Sequence, residues 1–228
     1  STTSNIKLNG STIQTIYGGG NEAGVTTTNV NLITGSSTEV FGGSNKSGTV
    51  TTSSVKASTP QNLIIDTIYG GNNNGGKVKQ TDINLIGGTY NNIYGGGNNA
   101  DVDYTNVHTD KITMTGKFYG GGNNASVIYN TNVKFLNSSI DYDIFGGGNL
   151  GTVEGNTVVY LSNAAIKGSA YAGGNGKTAT VLGNTTLTID NSSTVNKHVF
   201  GGGNAANTGS KDNTSSISKV NIAGATIN

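Results

Sequence analysis

Ile93-Tyr94-Gly95-Gly96-Gly97-Asn98 is one of eight near-copies of a single hexapeptide in this chain. The others begin at Ile16, Val40, Ile68, Phe118, Ile144, Ala170 and Val199. Their aromatic residues are Tyr17, Phe41, Tyr69, Tyr94, Tyr119, Phe145, Tyr171 and Phe200. Successive spacings are 24, 28, 25, 25, 26, 26 and 29 residues. A fixed period of this length is the mark of a repeat architecture, in which each unit buries its apolar face against its neighbours.

Outward from the hexapeptide, each unit continues in β pattern. A short apolar segment centres on Val102, with equivalents at Val25, Val50, Val78, Val127, Val153 and Val181. A third segment follows, as Thr105-Asn106-Val107 or Thr131-Asn132-Val133, alternating apolar and polar residues at period two. Glycine or asparagine closes it at Gly35, Gly87, Gly116, Asn137, Asn163, Asn191 and Gly224. No helical period occurs anywhere in the unit. A propeller blade needs about 40 residues for its four strands, so units this short point to one coil of a solenoid. A leucine-rich repeat fits less well, because Gly18 stands where its third leucine belongs. The expected fold is all-β: a single right-handed parallel β-helix of about eight coils, three short strands each, spanning residues 1–228. Ser1–Asn5 reads as a polar lead-in. Because both ends fall inside a coil, the chain is expected to be part of a longer repeat protein with flanking domains.

In a stack of coils each residue lies about 4.8 Å from its equivalent, so like side chains form rows. The residue before each aromatic is apolar in all eight units and should line the core. The residue four after it is asparagine in all eight: Asn21, Asn45, Asn73, Asn98, Asn123, Asn149, Asn175 and Asn204. An amide carries donor and acceptor together, so stacked asparagines can bond along the rod. Period-two alternation turns the aromatics outward if their aliphatic neighbours point in. Tyr17, Tyr69, Tyr94, Tyr119 and Tyr171 would then form an exposed strip on which a glycan could lie; the other reading of the row is structural stacking, whether outside or folded into a corner of the core.

Composition narrows the function. All 13 basic residues are lysine, the net charge is +1, and there is no basic cluster. Nucleic-acid readers favour arginine for its bidentate fork, so nucleic acid is not an expected partner. Cysteine is absent, which excludes disulfides and thiolate metal sites. No apolar run is long enough to span a bilayer as a helix. His108 and His198 lie in different units without a second ligand nearby. Asp101/Asp103 and Asp141/Asp143 place paired carboxylates on one strand face. Such pairs are the raw material of glycoside hydrolysis or a Ca²⁺ site; with no fixed Asp after each glycine turn, the expectation is no cofactor and no metal. The glycine turns lack the following helix that a phosphate loop needs. Threonine pairs are interrupted by Asp103-Tyr104 and Ile128-Tyr129, so no flat threonine array persists.

The coil length, asparagine row and glycine turns resemble the parallel β-helix superfamily that includes pectate lyases. The Thr/Asn/Gly-rich, lysine-only, cysteine-free repeats resemble β-helical regions of bacterial surface adhesin-like proteins. That resemblance implies an extracellular, non-catalytic structural or adhesive module on a bacterial cell surface, meeting a glycan or protein ligand. The alternative it implies is a polysaccharide lyase or glycoside hydrolase on the same scaffold. The lyases of the superfamily carry Asp clusters with Arg or Lys as base, and this chain has no arginine and no such cluster.

Overall fold

A computed structural model describes residues 2–210 and 215–228. Within them the chain is all-β and coils as a parallel solenoid of about eight turns. β1 (Thr3–Tyr17) pairs with β2 (Val25–Phe41) in parallel, and the same pairing repeats coil upon coil. Ser1 of the expected lead-in lies outside the described residues, and Thr3 is already paired with Thr27.

Three ladders of strands build the walls. The longest runs Ile6, Val30, Val55, Ile83, Val107, Val133, Val159, Leu187 and Val220 in direct register. A second ladder includes Ile65, Tyr90, Met114, Ile140, Ile166 and Val195. The third joins the eight aromatic dipeptides, Ile16-Tyr17 through Val199-Phe200.

This division differs from the one expected from the sequence. The segment at Val25, Val50, Val78 and Val102 opens the long strand itself, and beyond Val102 it is reduced to a single bridge from one coil to the next, Val102 to Val127 to Val153 to Val181. The segment expected as one third strand is instead cut in two, as in Val102–Asp110 and Thr113–Met114. A corner residue in left-handed conformation makes the cut. It is Gly87 (φ 79°), Lys111 (56°), Asn137 (48°), Asn163 (49°), Asn191 (49°) and Gly224 (67°) in successive coils. Lys111, not Gly116, holds that corner in its coil. The longer units spend their extra residues at turns: Thr59 and Asn62 have positive φ in one, Asn191 and Ser192 in the other.

The interior is a narrow apolar column. Ile68, Ile93, Phe118, Ile144 and Ala170, each preceding an aromatic, are fully buried with the long-ladder valines. Each large side chain so buried contributes roughly 1.5–3 kcal/mol. Val50, Val78, Val102, Val127, Val153 and Val181 form a second, thinner core behind the glycine turn.

That turn explains the glycines. None of the turn glycines preceding the asparagine row has positive φ. A β-carbon on Gly96 would instead sit 2.8 Å from the Gly122 nitrogen in the next coil. Close approach of stacked backbones, rather than a left-handed conformation, demands glycine here. The approach lets the turn itself hydrogen-bond between coils: the Gly95 N–H donates to the Tyr119 carbonyl and the Gly96 N–H to the Gly121 carbonyl.

Candidate functional site

The asparagine row is a continuous chain of amide bonds. Asn45 donates to Asn21, Asn73 to Asn45, Asn98 to Asn73 and Asn123 to Asn98, at 2.8–3.0 Å. Asn149, Asn175 and Asn204 extend it at 2.9–3.0 Å. Each bond contributes about 1 kcal/mol net.

The eight aromatic rings form one offset stack, with centroids 4.7–5.2 Å apart and planes within 11°. Of the two readings of this row, the fold presents the stack folded inward rather than the outward, exposed strip. Phe41 and Phe145 are fully buried, Tyr69, Tyr119 and Tyr171 are no more than 8% exposed, Tyr17 and Tyr94 are half-buried, and Phe200 in the last coil is exposed. The glycine turn folds back over the rings and brings the asparagine row to the phenol tips. Asn73 Nδ2 donates to the Tyr17 hydroxyl at 3.4 Å, two coils away. Burial, reinforced by Tyr94, Glu39 and Asp66, raises the Tyr69 hydroxyl well above the usual phenol range. Tyr119 is raised chiefly by burial too, and Tyr94 by burial alone.

A row of hydroxyls, legible in the repeat as Thr or Ser two residues before each long-ladder aliphatic, went unassigned in the sequence. Thr81 Oγ1 donates to the Gly95 carbonyl at 2.6 Å, Thr105 to Gly120 and Thr131 to Gly146 at 2.7 Å, and Thr157 to Ala172 at 2.6 Å. Thr28, Ser53 and Thr185 make the same bond to Gly42, Gly70 and Gly201. These bonds cross the interior and hold the long ladder to the turn.

The paired carboxylates are engaged separately. Asp103 pairs with Lys77 at 2.7 Å and Asp101 accepts the Ser126 N–H at 2.8 Å. That hydrogen bond to Asp103 is the main reason the Lys77 ammonium is raised above its ordinary range. Asp141 pairs with Lys167 at 2.8 Å, and Asp143 accepts the Ser169 N–H at 2.8 Å. Each of these contacts joins one coil to the next. Among the described residues no three His, Cys, Asp or Glu side chains gather as a metal site. His198 packs edge-on against Phe200, and His108 lies on the outer face of the long ladder.

That outer face carries two shallow grooves. One, of about 520 Å³, is lined by Lys56, Asp82, His108 and Lys134 among amides. The other, of about 560 Å³, is lined by Tyr104, Asn106, Asn130, Asn132, Asn156 and Val158 and their neighbours, without a charged residue. Tyr104 stacks on Tyr129 at 4.7 Å, and the two are 38% and 48% exposed. The signal for this pair was in the sequence: they are separated by 25 residues, one coil.

No helix among the described residues is long and apolar enough to cross a membrane. Comparison with family models, curated proteins and solved structures finds no match to this chain.

Proposed function

We propose that this chain is a non-catalytic structural and adhesive module, a rigid segment that holds a ligand-contacting face at a distance from a bacterial cell surface. The observation carrying this reading is that its repeated polar side chains are spent on holding the stack together. Asparagines and all four ion pairs of the described residues link one coil to the next, and the buried hydroxyls tie one wall of a coil to its turn. The acids that catalysis of glycan cleavage would need are among them. Asp101, Asp103, Asp141 and Asp143 each hold a neighbouring coil. The parallel coil, the glycine turns and the absence of cysteine and arginine fit the resemblance to β-helical adhesin segments and, at the level of the scaffold, to the pectate-lyase-like superfamily. Ligand contact, glycan or protein, falls on other exposed faces, since most of the stacked aromatic row is covered.

The test is an assay for reducing-end release from uronate-containing and neutral polysaccharides, run beside adhesion of protein-coated beads to the same glycans. The expected result is retention without turnover. Release of reducing ends overturns the non-catalytic reading.

A further inference from the structure

The geometry points to a specific binding site on the outer face: the stacked Tyr104–Tyr129 pair and the uncharged groove beside it take a neutral sugar ring of a glycan. This rests on the adhesive reading and gives it a location and a ligand class.

Three observations converge. First, the two rings form an exposed stack of their own. The main stack is largely buried except at Phe200, 39% exposed in its last coil, whereas Tyr104 and Tyr129 lie parallel to within 20° in mid-solenoid with much of their surface open to solvent. At 4.7 Å the rings overlap face to face, so they offer solvent their edges and the outer face of Tyr129, beside which the next coil places Gly155 without a side chain. The C–H face of a pyranose is flat and weakly apolar, and packing it on that outer face costs a rigid tyrosine little conformational entropy.

Second, the adjoining groove offers amides with unused donors. Asn130 and Asn156 each accept a backbone N–H of the next coil through Oδ1, from Asn156 and Asn184. Neither Nδ2 group has a hydrogen-bond partner among the described residues. Asn132, which lines the groove, is exposed and makes no side-chain hydrogen bond in the protein. Sugar hydroxyls accept and donate at once and suit a row of amides repeated from coil to coil. A few convergent polar groups beside an aromatic surface is the usual composition of a small-ligand site.

Third, the groove has no charged lining residue, in contrast to its neighbour with Lys56, Asp82, His108 and Lys134. The Lys77 ammonium within electrostatic reach of Tyr129 is already paired with Asp103, and the Asp82 carboxylate, bonded to Gln80 and Asn106 of the groove, would repel an acidic sugar. The matching ligand is uncharged.

The experiment is a calorimetric or NMR titration of the chain with cellohexaose, maltohexaose and mannohexaose, with tetragalacturonate as the acidic counterpart. The expected result is that at least one neutral hexasaccharide binds with a Kd of about 1 mM or tighter, more tightly than tetragalacturonate. The Tyr104→Ala/Tyr129→Ala double variant should weaken it by about tenfold or more. Tyr104→Phe/Tyr129→Phe, which keeps the rings, should retain most of the affinity, and Tyr142→Ala, an exposed tyrosine elsewhere, all of it. Circular dichroism melts of the variants check that the solenoid is intact. No binding by the three neutral probes, tighter binding of tetragalacturonate, or binding unchanged by loss of both rings each overturns the site. The last of these leaves the adhesive reading standing, whereas turnover of a bound glycan overturns that reading and leaves the site.

Discussion

At the scale of single residues, the left-handed corner is the position where the repeat is least uniform. Asparagine suits it twice over. It tolerates the conformation, and its amide continues the row: Asn137 Nδ2 donates to Asp110 at 2.7 Å and Asn163 Nδ2 to Asn137 at 2.9 Å. Lys111 holds the same corner at φ 56° with neither advantage. This conformation costs an ordinary side chain roughly 1–2 kcal/mol, which the short amide of asparagine partly offsets by local hydrogen bonding. Lys111→Asn is therefore expected to stabilise the protein by about 1 kcal/mol. The measurement is urea unfolding, read as a higher midpoint at unchanged slope. A lower midpoint would show that the lysine side chain supplies something the corner geometry does not reveal.

At the scale of the elements, the hydroxyl ties decide how the long ladder sits against the glycine turn. Thr131 is fully buried and its Oγ1 donates to the Gly146 carbonyl. Thr131→Val keeps the shape and removes the donor, leaving a buried carbonyl unpaired at a cost of about 1–3 kcal/mol. Thr131→Ser keeps the tie, as Ser53 does naturally in its coil, and should cost less. Thermal unfolding of the two variants checks this, and equal losses would assign the residue's role to its methyl group. These ties also show what the sequence could and could not disclose. The solenoid, its period and the core position before each aromatic were legible, because repetition and apolar identity are local properties of the chain. The hydroxyl row was visible as Thr or Ser in register, but its acceptor lies 14 to 17 residues away across the interior. The orientation of the aromatics stayed open for a similar reason. Alternation along a strand says which side a ring leaves from, and it is silent on the glycine turn that folds over it. Tyr104 and Tyr129 were passed over as interruptions of a threonine pattern, although their one-coil separation already made them a pair.

At the scale of the whole molecule, the buried tyrosines set an alkaline limit. Tyr69, Tyr90, Tyr94 and Tyr119 all have hydroxyls raised above the ordinary phenol value of 10.0, with burial the leading cause. Below that value the phenols are protonated in folded and unfolded chains alike, so they add no pH dependence. Above it the unfolded chain loses protons first, and stability falls as pH rises. Melting temperature should therefore decline above about pH 10, with the last tyrosinate absorbance emerging together with loss of the β-sheet circular dichroism. Complete ionisation with the dichroism intact would refute it. The ties themselves reach one coil, or two where Asn73 meets Tyr17. No contact in the interior therefore gauges total height. Copying a 26-residue cassette into the gene, or deleting one in frame, would lengthen or shorten the shaft by about 4.8 Å and ask for no new packing solution. Reach is thus a quantity that recombination can adjust freely, while the surface carried on each storey diverges independently.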